Sequence, residues 1–135
     1  MPPSIATEKV CFIVVMAREI HAKVPPQEED PASDVADDDF REILEDFAGD
    51  PMYQELREYI AALDDDEKAE LLALTWTGRG DFDAADWDAA MTEARDRADA
   101  REPAYIMGTP LVSDYLEEGL AAFDLSCVDF EKRNL

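Results

Sequence analysis

Apolar residues recur along the chain at the three-and-four spacing of an α-helix, while extended runs of alternating β-branched residues are absent. The pattern predicts an all-α fold. The first stretch, over residues 4–24, starts at a Ser4 cap and is apolar almost all round over 10–16, as expected of a central buried helix. β-Branched residues crowd 11–15 and suggest a strand there, but the flanking Glu8, Lys9, Ala17, Arg18 and Glu19 favour the helix. Pro25 and Pro26 stop it, and 25–36 reads as an acidic, proline-containing surface loop. Over 37–48, Phe40, Ile43, Leu44 and Phe47 fall on one helical face, with Asp37, Asp38 and Asp39 at the start and Gly49 at the end.

Asp50-Pro51 pairs a capping carboxylate with proline at the first helical position, ahead of the stripe Tyr53, Leu56, Ile60 and Leu63. Asp64-Asp65-Asp66-Glu67 has the form of a capping box and opens a helix carrying Leu71, Leu72, Leu74 and Trp76, with Gly78 and Gly80 placed to end it. Asp83 is the next cap candidate, before Trp87, Ala90, Met91, Ala94 and Ala98. After Pro103 comes a short segment with Tyr105 and Ile106. Thr109-Pro110 then opens a last helix holding Leu111, Val112, Tyr115, Leu116, Leu120 and Phe123, in which Gly119 signals a close backbone contact. The expectation is one compact domain over 1–135, of about six helices around the N-terminal one, with 126–135 as a C-terminal tail.

Charge changes this picture most. Against 34 Asp and Glu there are 12 Lys and Arg, a formal net charge of −22 on 135 residues. Such a field repels phosphate backbones and anionic lipid and attracts basic surfaces, so direct nucleic acid and membrane binding are excluded as expectations. With 47% hydrophobic residues the chain still has enough apolar surface to fold. Cys11 and Cys127 form no Cys-x-x-Cys pair and are expected as reduced thiols, Cys11 as a small core residue. The start lacks the basic region of a signal peptide, and the apolar run 10–17 is too short to span a membrane, so a cytoplasmic setting is expected.

Several blocks resemble a family of small bacterial proteins, domain-of-unknown-function family 3775. They are Lys9-Val10-Cys11-Phe12-Ile13-Val14 with Ala17-Arg18-Glu19, Trp76-Thr77-Gly78-Arg79-Gly80-Asp81, Trp87, and Gly108-Thr109-Pro110-Leu111 followed by Asp114-Tyr115-Leu116-Glu117-Glu118-Gly119. The resemblance implies a bacterial, cytoplasmic setting and supplies no activity, cofactor or catalytic residue.

Chemistry must then come from side chains. Asp81, Asp83, Asp86 and Asp88 offer hard oxygen ligands to Ca²⁺ or Mg²⁺, but counted from Asp81 the loop places Ala85 at position 5, Asp86 at the turn-glycine position and Thr92 at the bidentate position. Capping and first-turn charge account for these acids more simply. His21, the only histidine, stands two residues from Glu19, which rules out a di-iron Glu-x-x-His pair. No nucleophile has a neighbouring base, and Gly78-Arg79-Gly80-Asp81 lacks the ending of a phosphate loop. Arg79, Asp81 and Trp87 remain as binding candidates, with no catalytic residue and no cofactor. Trp76, Tyr105 and Tyr115 join Trp87 as aromatic residues that either line a pocket or fill the core. The function expected is a non-enzymatic, acidic interaction module that binds a basic protein surface or self-associates, with mimicry of a nucleic acid backbone as a special case. The alternative is a divalent-metal-dependent binding or hydrolytic protein.

Overall fold

The computed structural model describes residues 3–23, 42–44 and 46–134. Among these residues every regular element is helical. The main α-helices are α1 (Thr7–Ala22), α2 (Pro51–Ala61), α3 (Asp65–Arg79), α4 (Trp87–Asp96), α5 (Pro103–Met107), α6 (Val112–Ala121) and α7 (Val128–Asn134). Two 3₁₀ turns, Ala84–Asp86 and Ala98–Arg101, bracket α4. The whole of the expected acidic loop 25–36 and the start of the expected 37–48 helix lie outside the described residues; within the latter, residues 42–44 are helical and Leu44 is buried. No described helix is long and apolar enough to cross a membrane.

α1 and α3 share the centre. Val10, Cys11, Ile13, Val14, Met16, Ala17 and Ile20 of α1 are buried, and α3 is buried without interruption from Ala69 to Thr77. A helix buried on all sides must still satisfy its polar side chains. The hydroxyls of Thr75 and Thr77 do so by donating to the carbonyls of Leu71 and Ala73, at 2.9 and 2.8 Å. α6 packs on both central helices, and the buried Ser113 hydroxyl donates to the Val14 carbonyl at 2.8 Å.

Where a local signal governs, the expected boundaries hold. The Asp50 carboxylate accepts from the Met52 and Tyr53 amides ahead of Pro51. Asp64 and Glu67 form a reciprocal capping box. Glu67 is also bonded by Lys9 of α1 at 2.6 Å, which, with the Asp64 amide, holds its carboxyl below its ordinary pKa. Ser4 does not cap α1. The helix starts after Ala6, and the Ser4 amide and hydroxyl both donate at 2.7 Å to Glu70, a buried carboxylate of α3. Two donors on one oxygen explain how that charge is accommodated out of water.

The cysteines overturn an expectation. Cys11 and Cys127 form a disulfide, with Cα atoms 5.5 Å apart across 116 positions of sequence, because the chain after α6 folds back over the start of α1. Sequence spacing carries no sign of such a pairing. Both residues are buried, at 0 and 3% exposure, and the stretch expected as the C-terminal tail, 126–135, contains α7. A bridge of this kind persists in an oxidising compartment, so the cytoplasmic setting loses the support of reduced thiols.

His21, near the end of α1, is half-buried. Its Nε2 donates to the Met107 carbonyl at 3.0 Å, and burial pushes its pKa below the ordinary value near 6.5. In the window between the depressed folded value and about 6.5, the unfolded chain takes up a proton that the native protein refuses, so this group's contribution to stability falls as pH falls. Urea unfolding of wild type and His21→Gln from pH 7.5 to 5 is expected to show the stability difference between them shrinking toward acid pH. An unchanged difference would contradict the assignment.

Candidate functional site

Of the hollows on the surface, the one that gathers sequence-predicted residues lies between the C-terminal end of α3 and the chain around α4. Its construction starts at Gly80. This residue takes a left-handed φ of +98°, and the bonds Gly80 N–H to Thr77 O and Asp81 N–H to Trp76 O close a Schellman cap. Gly80, and not Gly78, therefore ends the helix; Gly78 is an interior residue pressed against α6. The reversal brings Asp81 back beside Arg79, whose Nε and Nη2 both donate to Asp81 Oδ2 at 2.7 Å. It also lays Phe82 against Trp76, with ring centroids 6.1 Å apart.

The opposite wall comes from beyond α4. Arg101 donates to the carbonyls of Ala94 and Arg95, satisfying the end of that helix while the chain turns through the second 3₁₀ segment. The turn carries Arg97 and Tyr105 to the hollow, where Glu93 of α4 joins them. Arg97 forks onto Asp99 at 3.2 and 3.4 Å, and that bond holds the Asp99 carboxyl below its ordinary pKa. The open hollow has a volume of about 320 Å³. A larger hollow of about 740 Å³ lies between Tyr53, Gln54, Arg57, Glu58, Ala48 and Ala104; its one ring, Tyr53, is buried in the core.

The binding candidates thus divide. Arg79 and Asp81 stand together at the cleft. Trp87 does not line it: at 4% exposure it belongs to the core, edge-on to Phe123 with centroids 5.2 Å apart. Trp76 and Tyr105 line the cleft, and Tyr115 does not. Asp81, Asp83, Asp86 and Asp88 are all exposed, and among the described residues no three His, Cys, Asp or Glu side chains gather as a metal-binding group. Asp83 precedes the first 3₁₀ turn without a side-chain capping bond. Glu93 and Arg97 escaped the sequence reading. Their spacing of four places them on one exposed helical face, which looks like any solvated pair.

The cleft lies wholly within residues 53–125, which match the model of a family described as protein of unknown function. The chain belongs to the DUF3775 family. The DUF3775 match starts after α1, so the block from Lys9 to Glu19 that resembles the family lies outside it, as do both cysteines of the bridge. Beyond DUF3775, no curated protein and no solved structure matches the chain.

Proposed function

We propose that this DUF3775 protein is a non-enzymatic interaction module whose acidic surface binds a basic protein surface. The observation that carries this reading is the fate of its cations. Among the described residues, Lys9, Arg18, Lys23, Arg79, Arg95 and Arg97 are all engaged with carboxylates of the same chain. Arg18 alone spans two, Asp114 and Glu117. Even with every one of the 12 cations matched to one acid, 22 of the 34 acids remain uncompensated. Opposite charge supplied by a partner removes that self-repulsion and speeds encounter. Self-association through an apolar face has less to support it: among the described residues the large hydrophobic side chains left exposed are Leu111 and Val128, on separate segments.

Capture from nuclease-treated lysate of the source organism, at about 50 and 200 mM salt, followed by pairwise binding of the purified proteins, tests the reading. The expected result is one basic partner retained in stoichiometric amount at the higher salt, with an affinity that falls as salt rises. Retention of only a salt-labile assortment of basic proteins would sink it.

A further inference from the structure

We infer that the cleft between α3 and α5 is the seat for a cationic side chain, arginine or lysine, of the basic partner. The inference rests on the reading above and gives it an address. Three aromatic residues, Trp76, Phe82 and Tyr105, line this hollow, Trp76 from the edge of the core, and aromatic rings attract cations. Its charges decide the sign of the guest. Arg79 is neutralised by Asp81 and Arg97 by Asp99, so two cations meet two anions. Glu93 is the additional charge at the cleft, and it forms no ion pair with a described residue.

An entering anion would have to displace a carboxylate already 2.7 Å from Arg79 or 3.2 Å from Arg97, against the field of a chain at −22. An entering cation breaks no ion pair among the described residues. It meets Glu93 and the rings, and its alkyl stem covers apolar surface. About 320 Å³ stands at the small end of ligand pockets and suits one long side chain more than a cofactor. Here three rings stand beside an acid that no described cation pairs. The cleft is therefore where an interface of mostly near-neutral contacts would have its anchor.

The two tryptophans make the test selective, because Trp76 faces the cleft and Trp87 is packed on Phe123 outside it. A hexa-arginine peptide is titrated at about 50 mM salt into ¹⁵N-labelled protein, and the two indole N–H signals are followed. The Trp76 signal is expected to shift and saturate while the Trp87 signal stays in place. Glu93→Gln should weaken binding about threefold more than Glu55→Gln, a control at an exposed acid of α2. Phe82→Leu, which keeps bulk and removes the ring face, should also weaken it about threefold.

Binding with equal losses in Glu93→Gln and Glu55→Gln and a stationary Trp76 signal would overturn the cleft and leave the acidic surface standing. Absence of peptide binding would overturn both. If benzoate moves the Trp76 signal and the peptide does not, the guest is an anion and the inference is wrong.

Discussion

Reducing the Cys11–Cys127 bridge is expected to lower the stability of the protein by about 4–5 kcal/mol, the largest single effect foreseen. The bridge closes a loop across 116 positions, nearly the whole chain, and in the chain-entropy account a cross-link of that span removes about this much freedom from the unfolded ensemble. Both sulfur-bearing residues are buried, so a thiol reagent gains access only when the segment after α6 lifts from α1. Reduction of the native protein should therefore be slow and reduction in urea fast. Urea unfolding of the oxidised protein and of Cys127→Ala measures the difference. Alanine in place of serine avoids placing a hydroxyl at the buried position 127. Equal midpoints for the two proteins would show that the bridge carries no stability.

The second large effect belongs to the crossing of α3 and α6. A Cβ placed on Gly78 would lie 1.7 Å from the Tyr115 carbonyl oxygen, and one placed on Gly119 would lie 2.3 Å from that of Leu74. These neighbours are backbone atoms of packed helices and cannot swing aside as a side-chain tip can. The helices must separate, and contacts along the most extensive interface among the described helices loosen with them. Gly78→Ala and Gly119→Ala are each expected to cost about 3 kcal/mol and to lower Tm by roughly 10 °C. Gly49→Ala is the control, since a Cβ there meets nothing within 4 Å. Thermal melts followed by circular dichroism decide the matter, and a melt of Gly119→Ala matching that of Gly49→Ala would refute the close crossing.

What could be read from the sequence was whatever a few neighbouring residues decide among themselves. Asp50 before proline, Asp64 with Glu67, and Gly80 after Arg79 all act within one turn of helix, and the structure places each in the expected role. Gly119 was legible because a glycine inside a strong helical pattern needs a packing reason. Its counterpart Gly78 looked like a terminator, since only the fold shows that α6 lies against it.

The misreadings share one cause, a local signal outcompeted by a distant partner. Ser4 resembles a cap and is drawn to Glu70, 66 positions away. Ala98 continues the stripe of α4, yet the helix ends at Asp96 and Ala100 is the residue that reaches the core. Thr109-Pro110 resembles a helix start, but the Thr109 hydroxyl donates back to Tyr105, closing the segment before it. The chain then passes through Leu111 at φ +61° before α6 begins at Val112. At the cleft, Arg79 and Asp81 were visible because they are neighbours in sequence. Glu93 and Arg97 join them only through the turn after α4, and that turn depends on Arg101 reaching two carbonyls.

The packing of α1 on α6 also bears on how the protein is made. α1 leaves the ribosome long before α6, and a surface that covers Val14 and its neighbours belongs to residues 112–121. At about 5–20 residues per second, translation takes on the order of 5–20 s to cover the intervening stretch. For that interval the most continuously apolar of the described helices waits without this partner. Nascent chains stalled before α6 should therefore be held by chaperones, and those stalled beyond it released.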